Sequence, residues 1–151
     1  MKLTKNKSYE LTKDKIMSYR HFGRIGDIWK HIPLCEFLSI EQPNNYIETN
    51  SAYPHYQLTG SFEQQYGIFH VEKNIEKSHL IRQSVYWQVI SCISENENGL
   101  SKYLGSPALA LNILKDTTKN FVFFDLEQAC LKAIAEYAKK LNIAGNLSKL
   151  L

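Results

Sequence analysis

The run Asn120-Phe121-Val122-Phe123-Phe124-Asp125 leads at once into a stretch, Glu127 to Leu141, that carries Leu131, Ile134, Ala135, Ala138 and Leu141 on one helical face. A continuous aromatic and β-branched run ending in an acidic residue is the pattern of a buried strand in a parallel sheet, and such sheets belong to α/β folds. The rest of the chain agrees. Its order of helix, strand, helical segment, helix, strand, helix points to α/β rather than all-α.

The first core helix is expected from Asp27 to about Ile40, with Ile28, Ile32, Cys35 and Leu38 on its apolar face. Asp27 reads as its N-cap, and Pro33 predicts a kink or a broken first turn. Asn45-Tyr46-Ile47-Glu48-Thr49 reads as a short strand between Pro43-Asn44 and Asn50-Ser51-Ala52-Tyr53-Pro54. From Val71 to about Ser94 the spacing of Ile75, Leu80 or Ile81, Val85, Val89 and Ile93 suits an amphipathic helix or a helical pair. Lys102-Tyr103-Leu104 reads as extended. Ser106-Pro107 then reads as an N-cap with proline at the first helical position, opening a helix to about Lys115. Asn142 to Leu151 begins a further strand and turn.

At 151 residues and 44% hydrophobic the chain fits one domain with a real core. No apolar run is long enough for a membrane helix, and MKLTKNKSYELTKDK is too polar for a secretory signal, so the expected location is the cytoplasm. Cys35, Cys92 and Cys130 are far apart in apolar helical patterns and read as buried free thiols, not as a metal site or disulfides. The net charge of +3 permits nucleic-acid binding without requiring it. Lys2, Lys5, Lys7, Lys13 and Lys15 concentrate positive charge in a polar extension over residues 1–16, which is either a phosphate-facing arm or a solubilising tail.

Met17-Ser18-Tyr19-Arg20-His21 and Gly26-Asp27-Ile28-Trp29-Lys30-His31 gather two histidines, an arginine, a lysine and a tyrosine ahead of the first helix. Such a cluster suits an anion or polar ligand near free backbone N–H groups, or else it is a solvated basic turn. Asp125, ending its strand, stands where nucleotide-binding folds often hold a ribose.

Several separated pieces resemble, in order, the large-subunit ribosomal RNA adenine-N6 methyltransferases of the RlmJ type. They are SYRH at Ser18 to His21, G-x-x-x-D-x-x-KH at Gly23 to His31, Tyr46-Ile47-Glu48-Thr49 with Tyr56-Gln57-Leu58, Tyr103-Leu104-Gly105-Ser106-Pro107, and Phe124-Asp125-Leu126. The resemblance implies a partial Rossmann-like, S-adenosylmethionine-dependent methyltransferase fold over residues 17–151, with a helical insertion at about 66–98. It implies substrate contacts at Tyr19, Arg20 and His21. On the cofactor side it implies Lys30, His31 and Ser106, with Asp125 at the ribose hydroxyls, and Asn50 and Asn146 complete the set of candidates.

The departures carry equal weight. The family's D-T-H-A-G-A-G-like loop is replaced by Glu48-Thr49-Asn50-Ser51-Ala52-Tyr53-Pro54, which removes both glycines, adds the bulk of Tyr53, loses an N–H at Pro54 and puts Asn50 where the histidine stood. A reshaped or closed cofactor pocket is the expectation. Ala144-Gly145-Asn146 matches an A-D-G segment whose Asp would grip adenine, and Gly145 has no carboxylate to do so. The catalytic D-P-P-Y-type tetrapeptide should lie beyond Leu151, so no catalytic residue is assigned. A fold stopping there leaves the Tyr46 to Thr49 strand at an uncovered edge, which implies pairing with a second copy or a complementing chain.

Beside a plain small α/β domain whose Tyr19-Arg20-His21 and Lys30-His31 clusters are merely surface, two readings of function follow. One is an adenine-N6 RNA methyltransferase, or its cofactor-binding half, using S-adenosylmethionine. The other is a non-catalytic nucleic-acid-binding or protein-interaction module derived from that family.

Overall fold

The computed structural model describes residues 21–94 and 99–150. Tyr19, Arg20 and the extension over residues 1–16 lie outside the described residues. The architecture is mixed α/β. A parallel sheet in the order β1 (Asn45–Thr49), β4 (Asn120–Phe124), β5 (Leu147–Leu150) is accompanied by an antiparallel two-stranded ribbon of β2 (His55–Gln57) and β3 (Lys102–Leu104).

Before β1 runs the long helix α1 (Ile25–Glu41). Between the two ribbon strands come α2 (Phe62–Gln65), α3 (Ile68–Lys73), a 3-10 turn at Ile75–Lys77, α4 (His79–Gln83) and α5 (Val85–Ser94). α6 (Ser106–Leu114) crosses over to β4, and α7 (Gln128–Lys140) with a 3-10 turn at Ala144–Asn146 crosses over to β5. α1 packs on both α5 and α6.

β1 and β4 fall where the sequence puts them, because period-2 burial and β-branched or aromatic residues coincide there. Five details differ from expectation. α1 begins two residues early, with Arg24 at the N-cap, so Asp27 is not the cap. It lies buried in the first turn instead, with ion pairs to Lys30 (3.0 Å) and Arg24 (3.8 Å). α1 also runs unbroken through Pro33. Ser106 is not an N-cap: Gly105 holds that position, and the Ser106 hydroxyl is used by another residue. The Val71 to Ser94 periodicity is cut into short pieces, since Asn74 and Ser78 end one turn each and Ser84 bonds the Trp87 amide ahead of α5. Cys92 is exposed, whereas Cys35 and Cys130 are buried, because the face of α5 that carries Tyr86 and Ile90 is the one turned inward.

Only one face of the parallel sheet is covered by described residues. Tyr46 and Glu48 of β1 share that face with Phe121 and Phe123 of β4, over a core that includes Leu38, Leu111, Leu114, Leu131, Ile134 and Ala138. On the opposite face lie Asn45, Ile47 and Thr49 beside Asn120, Val122 and Phe124, and Ile47 is 65% exposed. Parallel sheets are ordinarily buried on both faces, so this half-open one is unusual. A second core, built on Ile28, Cys35, Ile68, Tyr86, Ile90, Tyr103 and Leu109, joins α1 to the inserted helices and the ribbon. Among the described residues no helix is long and apolar enough to cross a membrane.

Candidate functional site

A cavity of about 240 Å³ opens beyond the C-terminal end of β1. Its floor and walls come from four places: the turn His21 to Arg24, the first turns of α1, the loop Asn50 to Ala52, and the ribbon with the start of α6. Crevices at the carboxyl ends of parallel strands are where α/β sheets bind ligands. The volume lies below the roughly 300–1,000 Å³ of ordinary small-molecule pockets, so a nucleoside-sized ligand would protrude.

Of the sequence-derived candidates, His21, Lys30, His31, Asn50 and Ser106 converge on this cavity. Asp125 and Asn146 do not line it. Asp125 sits behind the loop, with Oδ2 accepting from the Ala52 amide at 2.8 Å and Oδ1 from the Glu127 amide at 2.8 Å. Asn146 lies in the 3-10 turn before β5, where its Nδ2 donates to the Thr118 carbonyl at 2.9 Å.

The loop after β1 keeps a glycine-like path without glycine. Asn50 (φ 55°) and Ala52 (φ 58°) are both left-handed, and Ser51 is stitched to the Phe124 carbonyl through its amide and its hydroxyl, each at 3.0 Å. Asn tolerates that conformation and Ala does so only with strain. The sequence leaves a pocket either reshaped or closed by Tyr53 and Pro54, and a cavity is present beside this loop. Pro54 is buried with its carbonyl accepting from the Gly105 amide at 2.9 Å, while Asn50, Ser51 and Ala52 still line the cavity.

Two buried titratable groups flank the site. His31 is held close to neutral: burial drives its imidazole down to about 4, Asp27 pulls the other way, and Lys30 adds to the depression. Its Nδ1 lies 2.9 Å from the Tyr103 hydroxyl, whose ionisation burial also suppresses, so Nε2 is the ring nitrogen available to a ligand. Glu48 is shifted the opposite way. Burial lifts its carboxyl to about 7, against the lowering effect of hydroxyl donors from Ser106 to Oε1 and from Tyr46 to Oε2.

Sequence reasoning missed Phe22, Tyr56, Tyr103 and Glu48 as parts of the site. Phe22 and Tyr56 stack at 4.5 Å between centroids, and Tyr56 and Tyr103 are cross-strand partners of the ribbon. The motif pieces containing Tyr56 and Tyr103 were visible, yet the pairing across 46 intervening residues leaves no local mark. Among the described residues no group of three or more His, Cys, Asp or Glu side chains is arranged to hold a metal ion.

No family model matches the sequence, and none of the curated proteins matches it. A solved structure does: the crystal structure of the protein LPL1258 from Legionella pneumophila, of the family model DUF519, superposes with a TM-score of 0.64 at 28% sequence identity. The match takes in 86% of this chain. This chain spans 48% of that protein, about half its length.

Proposed function

We propose that this chain is the cofactor-binding part of a Rossmann-like, S-adenosylmethionine-dependent adenine-N6 RNA methyltransferase of the RlmJ type. The observation that carries the reading is the convergence of Lys30, His31, Asn50 and Ser106 on one cavity at the carboxyl end of a parallel strand. These are four of the six candidates for the cofactor, and they come from three elements far apart in sequence. A neutral His31 can accept from or donate to an uncharged polar group, and Lys30 favours a carboxylate.

Methyl transfer itself would need a group that orients the target amine, and none is assigned within this sequence. Positioning of two reactants is worth several orders of magnitude in rate, so the residues present account for binding rather than for turnover. Calorimetric titration with S-adenosylmethionine tests the reading. Binding that weakens in His31→Ala and Ser106→Ala is the expected result, and no heat at millimolar cofactor overturns it.

A specific observation favours the second reading, a non-catalytic RNA-binding descendant. The Asp125 carboxylate, the candidate ribose ligand, is engaged by the Ala52 and Glu127 amides behind the cavity wall. Absence of cofactor binding together with RNA affinity that falls steeply with salt would select this reading.

The same reading extends to assembly. Among the described residues β1 is an edge strand of the sheet and its Ile47 is exposed, so a second copy of the chain is proposed to pair along it. An antiparallel pairing about a two-fold axis at Ile47 sets Ile47 against its equivalent, Asn45 against Thr49, and Tyr46 against Glu48. The strand is self-complementary.

A further inference from the structure

On α2, Phe62 is 77% exposed and Tyr66, just past its end, is 65% exposed. Their rings lie 4.7 Å apart between centroids. Large aromatics left in water beside one another cost free energy that folding does not recover, and the remaining side chains from Ser61 to Gln65 are polar. The pair is not loosely held.

A capping box between Ser61 and Gln64 starts α2. The Gln64 side chain is 1% exposed, and its Oε1 accepts from the amides of Thr59 and Gly60, each at 3.0 Å. Gly67 then lies so close to the preceding turn that a Cβ there would stand 2.1 Å from the Gly23 carbonyl oxygen. The Ile68 amide bonds that same carbonyl at 2.8 Å. Glu63 reaches across to the His21 ring at 2.9 Å. The backbone that carries the two rings is therefore anchored to the segment His21 to Arg24, which forms one wall of the cavity.

Glu63, between the two aromatics in sequence, bonds His21, and His21 lines the cavity together with the cations Arg24 and Lys30 and the stacked Phe22 and Tyr56. We infer that Phe62 and Tyr66 form a stacking platform for a nucleobase of single-stranded RNA, placed so that a neighbouring nucleotide enters the cavity. The inference rests on the RNA-directed reading proposed above. Aromatic rings stack on any base, cations at the mouth meet the phosphates, and a rigid support limits the entropy lost on binding. A protein partner is less well matched, since the short segment offers no exposed aliphatic side chain beside the rings.

The test uses fluorescence anisotropy with a labelled, adenine-containing ten-nucleotide single-stranded RNA and a control of equal length whose bases are removed. The Phe62→Ala/Tyr66→Ala double variant is expected to bind the RNA about ten-fold or more weakly, with the control's affinity and the salt slope unchanged. Phe62→Trp with Tyr66 intact should restore or exceed wild-type binding. Equal affinity of wild type and double variant for the RNA overturns the inference, and so does an equal loss on the base-free control or no RNA binding at all. Titration of the double variant with S-adenosylmethionine separates the two claims. Loss of the base-dependent term with cofactor binding unchanged supports both. A base-dependent term in a chain that binds no cofactor supports the platform and removes the methyltransferase reading.

Discussion

The Ala52 amide donates to the Asp125 carboxylate at 2.8 Å, locking the loop after β1 onto the end of β4. The lock holds Ala52 at φ 58°, a conformation that costs an L-residue about 1–2 kcal/mol. Glycine would relieve that strain and give back part of it as unfolded-state entropy. Ala52→Gly is therefore expected to stabilise the protein by about 0.5–1 kcal/mol in urea unfolding. A destabilised variant would show that the alanine methyl makes a contact worth more than the strain.

Asp125 is the other half of the lock. Removing its carboxylate leaves two amides, those of Ala52 and Glu127, without their acceptor. Hydrogen bonds to charged groups contribute about 1.5–3 kcal/mol, so Asp125→Ala should destabilise by about that much. Asp125→Asn should recover part of the loss, because its carbonyl oxygen can still accept from one amide. Chemical denaturation of the three proteins side by side checks the order.

Much of this arrangement was legible in the sequence and some was not, for physical reasons. β1 could be placed to the residue because turn residues bound it on both sides, and β4 to within one residue because its aromatic and β-branched run is continuous. The roles of Asp27 and Ser106 could not. Both have the residue type and position of an N-cap, but the helix starts ahead of Asp27, which pairs with Arg24 and Lys30 three residues away on either side, and Ser106 is engaged by a tertiary partner, Glu48. The cluster Lys30-His31 was found because both residues lie one after the other on α1. Glu48 escaped notice because its chemistry comes from burial and from hydroxyls that arrive from β1 and α6.

Glu48 and His31 make opposite contributions to stability against pH. The Glu48 carboxyl is raised from 4.5 to about 7 in the folded protein, so its contribution is full below 4.5 and is lost as pH rises through 7. The His31 ring is lowered from 6.5 to about 4, so its contribution is full above 6.5 and is lost as pH falls through 4. Between pH 4.5 and 6.5 the two slopes oppose each other, each up to about 1.4 kcal/mol per pH unit. Glu48→Gln should unmask the histidine and make stability rise with pH across that window. His31→Gln should unmask the carboxyl and make it fall. Urea midpoints measured every half unit decide the matter, and parallel profiles for the two variants would refute the assignment.

Gly105 joins the ribbon to α6 where a Cβ would stand 2.3 Å from the Tyr53 carbonyl oxygen, a backbone atom that cannot step aside. Gly105→Ala should therefore cost on the order of 2–3 kcal/mol and move Ser106 away from Glu48. Unfolding by urea measures the cost. A near-neutral variant would mean that the loop from Tyr53 to Pro54 gives way more easily than its hydrogen bond to the Gly105 amide suggests.

Among the described residues β1 ends the parallel sheet, and this makes the last prediction. A strand that ends a parallel sheet presents unpaired backbone N–H and C=O groups, and Ile47 adds an exposed β-branched side chain beside them. Pairing two copies antiparallel through Ile47 would satisfy those groups and continue the sheet from three strands to six. Light scattering is expected to give twice the 17.5 kDa of one chain at high protein concentration. Ile47→Lys would set two ammonium groups opposite each other across the two-fold axis, where like charges repel and the apolar contact is gone. That variant should be monomeric, and its unfolding should no longer depend on protein concentration, since Ile47 is 65% exposed in one copy and only the dimer buries it. A wild-type chain that stays monomeric, or a lysine variant that still doubles its mass, rules out the β1 edge as the contact between copies and leaves it open to a complementing chain.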